Sequence, residues 1–153
     1  MKISTVKLKD LKNIAELEKK TFRKNAFSKK LLKKLILTNL LFLKLEIGVL
    51  KEKLIGFIII LKDKYNRANL INILIDSKYH RNGFGTLLLR NALNRLKKKS
   101  KRIKKIILNV NVKNLPAIRL YEKFNFKIIE KIEHYYYTGE DAYLMELNLR
   151  KNY

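Results

Sequence analysis

With 153 residues, 47% of them hydrophobic, the chain is long enough to bury a core and too apolar for a disordered polypeptide. It has no cysteine and only two histidines, His80 and His134, which excludes disulfides, thiol catalysis and cysteine-based zinc sites and argues against any bound metal. Its 36 Lys and Arg against 13 Asp and Glu give a formal charge of +23. Such a charge attracts polyanions such as RNA or the ribosome. The bland explanation is genome bias, which a Lys-, Ile- and Asn-rich composition without Gln, Cys or Trp favours; a heat-adapted source also fits.

The first element expected is a strand over residues 2–7. MKISTVKLKD has neither the apolar segment nor the cleavage site of a signal peptide. From Asp10, a candidate N-cap, Leu11, Ile14, Leu17 and Phe22 recur at helical spacing. Ser28 is placed to cap a second helix ending near Leu37. Leu41–Leu50 and Leu54–Lys62 read as an antiparallel hairpin around a Lys-Glu-Lys turn. Leu70–Ile75 reads as the next strand, followed by a helix over Gly85–Lys98. Ile103–Val112 is a strand with bulky apolar residues at alternate positions. Asn114 is placed to cap a short helix over Leu115–Phe124. Strands near Lys127–His134 and Ala142–Leu149 complete the order β-α-α-β-β-β-α-β-α-β-β, an α/β chain with a mixed sheet. No linker or repeat interrupts it, so residues 1–153 are expected to form one domain. The longest apolar runs, such as Ile55–Leu61, are too short to span a bilayer. A soluble cytoplasmic protein with no membrane partner is therefore expected.

The stretch LINILIDSKYHRNGFGTLLLRNAL, Leu70 to Leu93, contains the strongest chemical signal. A strand runs through a basic, Gly-punctuated turn into a helix. Backbone N–H groups at such a helix start lack helical partners and lie at the positive end of its dipole, which suits a pyrophosphate. A dinucleotide fingerprint does not fit, because Leu88 stands where its third small residue belongs. A P-loop does not fit either, for want of Gly-Lys-Ser/Thr.

YHRNGFGTLLL resembles motif A of the GNAT superfamily of acetyl-CoA-dependent N-acetyltransferases, with Gly83 and Gly85 at its two small positions and His80 where Gln or Arg is usual. NLPAIRLYEKFNF resembles that family's motif B. Asn114, Ala117, Leu120, Tyr121, Lys123 and Phe126 match it, and Asn125 replaces a Gly whose left-handed conformation Asn tolerates. YYYTGEDAYLM, Tyr135–Met145, is similar to the tail of RimI-type protein Nα-acetyltransferases. ELEKKTFRKNAFS is similar to their first helix and the loop after it, with Ala26 and Phe27 replacing the usual Pro-Trp.

The resemblance implies a GNAT fold: about seven strands in a mixed sheet, four helices, and a splay between the fourth and fifth strands. It implies direct acetyl transfer from acetyl-CoA without a covalent enzyme intermediate, in archaeal-like fashion onto ribosomal-protein or nascent-chain N-termini. Backbone groups of Ile73, Leu74 and Ile75 would meet the pantetheine arm and acetyl carbonyl. Arg81, Asn82, Gly83, Phe84, Gly85 and Thr86 would cradle the pyrophosphate, and Asn114 would contact the cofactor or simply cap its helix. Tyr121 would protonate the departing thiolate as general acid. Tyr135 and Tyr136 would line the substrate entrance.

The general base of RimI-type enzymes is a Glu five residues before the motif B Asn; here that position is Asn109, which can orient a group but not accept a proton. His134, Glu16 and Glu18 are bases without motif support. A weak base suits α-amines, which at pKa about 7.7–8.0 are roughly 10–15% neutral at pH 7, whereas a lysine amine is only about 0.04% neutral. Two alternatives stand: a small-amine acetyltransferase, disfavoured by a basic surface that repels polycations, and an acetyl-CoA- or RNA-binding module that has lost catalysis. The run RLKKKSKRIKK, Arg95–Lys105, is either a solvated helix end or an RNA- or ribosome-contacting patch.

Overall fold

The computed structural model describes Met1–Arg150. Seven strands form one mixed sheet in the order β1-β2-β3-β4-β5-β7-β6. They are β1 Lys2–Thr5, β2 Leu41–Ile47, β3 Lys53–Lys64, β4 Arg67–Ile75, β5 Lys105–Asn111, β6 Lys127–Ile132 and β7 Ala142–Asn148. Four α-helices accompany it: α1 Leu11–Phe22, α2 Lys29–Thr38, α3 Phe84–Lys99 and α4 Leu115–Lys123. The expected order is therefore present, with β1 and β2 ending earlier than expected, and with 3-10 turns at Leu8–Asp10, Arg23–Asn25 and Ser77–Tyr79 that were not foreseen. No helix among the described residues is long and apolar enough to cross a membrane.

The described chain divides into two compact units. The first comprises Met1–Leu61 and Asn72–Leu96. Here β1 pairs antiparallel with β2, and β2 with β3, where a bulge at Leu45/Glu46 shifts the register. Phe42 and Phe57, both fully buried, meet with ring centroids 5.7 Å apart. Ile14, Leu17 and Leu32 bury the apolar stripes of α1 and α2 in the same core. Ser28 caps α2 as expected, its side chain accepting from Leu31 N–H at 3.1 Å. Asp10 precedes α1, but its carboxylate turns back to accept from Lys7 N–H at 2.8 Å and from Lys44 Nζ at 2.9 Å instead of capping the helix. Lys44 also donates to Glu46 Oε1 at 2.7 Å, so one buried ammonium bridges two buried carboxylates.

The second unit comprises Lys62–Ile71 and the chain from Lys97 onward. β5 runs antiparallel to β7, and β7 to β6, which is an exposed edge strand carrying Lys127 and Lys131. The start of β4 pairs in parallel with β5 only from Arg67↔Lys105 to Asn69↔Ile107, although both strands continue. Ile106, Phe126 and Met145 are buried in this unit. α4 ends in a Schellman-type turn: Phe126 N–H returns to Tyr121 O at 3.1 Å while Asn125 takes φ +66. The left-handed conformation expected of Asn125 is thus the one it adopts.

Candidate active site

In the first unit, β4 delivers the chain to a tightly tied turn. Asp76 N–H donates to Ile55 O at 2.7 Å, fixing the end of β4 against β3. Gly56 makes that approach feasible, since a Cβ there would lie 2.6 Å from Leu74 O and 2.5 Å from Ile75 Cδ1. Asp76 itself is buried and accepts from Lys20 Nζ at 2.8 Å and Lys78 N–H at 3.1 Å. The Lys20 bond, ahead of the opposing effect of burial, holds its carboxyl below the usual range.

The next residues form the loop into α3. His80 Nε2 lies 2.7 Å from Ile75 O; because a carbonyl only accepts, Nε2 carries the proton. Asn82 Nδ2 donates to His80 O at 3.0 Å. Arg81 and Gly83 both take the left-handed conformation, at φ +62 and +75, and nothing lies within 4 Å of the position a Gly83 Cβ would fill. The helical ladder begins with Leu87 N–H to Gly83 O at 3.0 Å. The amides of Phe84, Gly85 and Thr86 therefore precede the first helical bond. With Arg81 exposed beside them, these donors gather at the positive end of the α3 dipole, an arrangement that attracts anions.

This unit thus contains Ile73, Leu74, Ile75 and residues 81–86 on one continuous strand–loop–helix element. Leu74 is buried, and the Ile75 carbonyl is already engaged by His80. Of the bases weighed here, Glu16 is exposed and Glu18 is 1% exposed. Glu18 accepts from Phe27 N–H and from Asn72 Nδ2, each at 3.0 Å, so both oxygens are committed to holding the α1–α2 loop beside β4. Burial raises its pKa despite those two bonds. A carboxylate on the buried stripe of α1, next to Leu17 and four residues after Ile14, was the available signal of this role. His80's grip on Ile75 and the need for Gly56 had no comparable signal.

The second unit contains the remaining candidates. Asn109 faces Leu144 across the β5–β7 ladder, and its Oδ1 is buried without a hydrogen-bond partner. Asn114 Oδ1 accepts from Ala117 N–H at 3.3 Å, so the helix-cap role occupies that oxygen. Tyr121 is 6% exposed, its ring 5.7 Å from that of Phe126. Burial, and then its proximity to Tyr136, push the phenol well above the usual tyrosine range. It remains a neutral O–H donor at every physiological pH.

Tyr135 and Tyr136 meet edge-on with centroids 4.9 Å apart. Their loop is pinned on several sides. Tyr136 N–H donates to Glu140 O at 3.1 Å, Gly139 N–H to Tyr136 O at 2.9 Å, and His134 N–H to Asp141 Oδ1 at 3.0 Å. Lys131 Nζ closes on Asp141 at 3.1 Å. His134, the other base weighed, has Nδ1 against Gly139 O at 3.1 Å and serves this loop. Tyr137 is fully exposed. No group of acidic and histidine residues suited to a metal occurs among the described residues.

The sequence profile of the acetyltransferase (GNAT) family matches residues 11–126. An N-alpha-acetyltransferase of Sulfolobus acidocaldarius is 40% identical over 79 residues, covering 52% of this chain and 46% of the relative. The aligned region thus spans about half the length of such curated relatives. The crystal structure of the ribosomal-protein-S18-alanine N-acetyltransferase from Escherichia coli superposes with a TM-score of 0.82 at 28% identity, over 96% of this chain and 92% of that one. Ard1 from Thermoplasma volcanium has the same fold, with a TM-score of 0.83 at 22% identity and 96% coverage of both chains.

Proposed function

The chain belongs to the acetyltransferase (GNAT) family, and from that premise we propose that it moves the acetyl group of acetyl-CoA onto the α-amine of protein N-termini, ribosomal-protein or nascent-chain. The observation that carries this reading is the loop of residues 81–86. Two left-handed residues, an open space at Gly83 and helix-start amides without ladder partners fit a diphosphate better than they fit any packing need. Acetyl-CoA supplies the activated thioester; what remains falls to this chain's own groups.

Amides of Arg81, Asn82, Gly83, Phe84, Gly85 and Thr86 bind the pyrophosphate. Main-chain groups of Ile73 and Leu74 orient the pantetheine arm; the Ile75 carbonyl, held by His80, contributes rigidity there. Asn114 has its Nδ2 left to offer the cofactor. Tyr121 holds a proton on its hydroxyl for the leaving sulfur. Asn109 Oδ1 accepts a hydrogen bond from the incoming amine, satisfying an atom that is otherwise buried and unpaired. Tyr135 and Tyr136, on their pinned loop, line the way in for the peptide. We read residues 1–153 as one catalytic domain acting in the cytoplasm, with a basic surface that associates with RNA or the ribosome.

The amide at Asn109 favours a second reading, a module that binds acetyl-CoA without turning it over. Acetyl-CoA consumption with short peptides differing in their first residue separates the two. Wild type is expected to turn over at least one peptide, and Tyr121→Phe to do so roughly 10²-fold more slowly with cofactor affinity retained. Cofactor binding with no turnover on any peptide would establish the module instead.

A further inference from the structure

Apart from the acyl-transfer elements, one cluster in the second unit combines stacking and charge. Tyr65, on the β3–β4 turn, is 71% exposed, an unusual placement for so large a ring. The Arg102 guanidinium lies 5.9 Å from its ring centroid, on one side of it. The turn is tethered to the segment that carries Arg102: Lys104 N–H donates to Asn66 O at 2.7 Å, and Lys105 N–H donates to the same oxygen at 3.3 Å. Lys62 and Lys64, just before Tyr65 in the chain, and Lys98 and Lys101, just before Arg102, are all exposed. The acid of the turn, Asp63, is paired with Arg67. No acidic residue occurs in the sequence between Asp76 and Glu122.

A patch of lysines alone is a solvated surface. An exposed aromatic ring, backed by a guanidinium and held by two backbone bonds amid those lysines, has the composition of a stacking platform for a nucleobase with cations for its phosphates. We propose that the Tyr65–Arg102 cluster binds single-stranded RNA, one base stacking on the Tyr65 ring and the flanking phosphates meeting Lys62, Lys64, Lys98 and Lys101. This locates the RNA association suggested by the chain's charge on a defined surface. It is independent of the acetyl-transfer reading and survives if that reading fails.

Fluorescence anisotropy with a labelled, unstructured ten-nucleotide RNA, titrated from about 50 to 200 mM KCl, tests it. Four phosphate contacts give a log–log salt slope of about −3 for a single strand. Tyr65→Ala should weaken binding roughly tenfold with that slope unchanged, and Tyr65→Phe should bind as wild type does. The double change Lys64→Glu with Lys101→Glu should weaken binding and flatten the slope. Lys30→Glu with Lys33→Glu on α2 serves as the matched control of equal charge change. The proposal is overturned if Tyr65→Ala binds like wild type, or if the α2 control weakens binding as much as the patch variant, since diffuse charge then explains everything. Tighter binding of a ten-residue glutamate peptide than of the RNA would equally overturn it, in favour of an acidic protein partner.

Discussion

Two glycines in the first unit serve opposite purposes, and exchanging each for alanine tests the loop geometry on which the phosphate site depends. At Gly83 an alanine Cβ meets nothing within 4 Å, so the cost is that of holding an L-residue at φ +75. A left-handed L-residue costs about 1–2 kcal/mol. At Gly56 the conformation is ordinary, but the Cβ would stand 2.6 Å from the carbonyl oxygen of Leu74, and backbone cannot swing aside as a side chain can. Overpacking of that kind costs about 1–3 kcal/mol, more when strands must part. In a chain of this size each kcal/mol lowers the melting temperature by about 2–4 °C.

The two mechanisms separate when asparagine replaces alanine. Asn visits the left-handed region readily, so Gly83→Asn should be more stable than Gly83→Ala. Gly56→Asn only adds atoms to a clash and should be less stable than Gly56→Ala. Calorimetric melting of the four variants, with coenzyme A titrated into each, provides the readout. Gly83→Ala should also bind coenzyme A more weakly, because its methyl fills the space left for phosphate oxygens. Equal stability of the Asn and Ala variants at position 83, or an unchanged melting temperature for Gly56→Ala, would refute this account of the turn.

Asn109→Glu places a carboxylate where the resemblance to RimI-type enzymes implies a general base, and general-base assistance is worth roughly 10²–10⁴-fold. Peptide acetylation should accelerate, with a new acidic limb in the pH–rate profile where the carboxylate protonates; an unaltered rate would remove Asn109 from the amine's path. Glu18 offers a test by stability. Its folded pKa is raised, chiefly by burial, so the folded state binds its proton more tightly than the unfolded one. Its contribution is most favourable at low pH and is lost as pH rises from the ordinary glutamate range through the raised value. In urea unfolding, Glu18→Gln, which retains an acceptor for Phe27 N–H, should therefore gain stability relative to wild type as pH increases from about 4 to 7. A pH-independent difference would show that Glu18 is not titrating in that window.

Most elements were legible because their signals are local. Ser28 and Asn114 are capping residues three positions from the amides they bind, and the Asn125 turn is written in the residue that tolerates it. The helical spacing after Gly85 was sufficient to place a helix directly after the Gly-punctuated turn. Asp10 shows where local reading stops. It stands at the N-cap position, yet a lysine 34 residues away on β2 competes for its carboxylate, and sequence does not announce such a partner. The same holds for Glu18 with Asn72, 54 positions on, and for Lys20 with Asp76, 56 positions on. Gly56 is legible only as a glycine in a strand until the neighbouring strand's carbonyl is in view. In the site, residue types were readable from motif spacing, whereas the commitments that leave Asn109 Oδ1 free and Ile75 O taken arise from tertiary packing.

In the loop proposed to hold a diphosphate, the amide of Asn82 gives its hydrogen to the His80 carbonyl. An aspartate of the same size has no hydrogen to give, and its charge would oppose that carbonyl and an arriving anion together. Asparagine is abundant throughout this chain, yet at this position abundance does not account for it. Here the side chain must be uncharged and able to donate, and drift toward the isosteric acid would shut the loop to anions before it disturbed the fold.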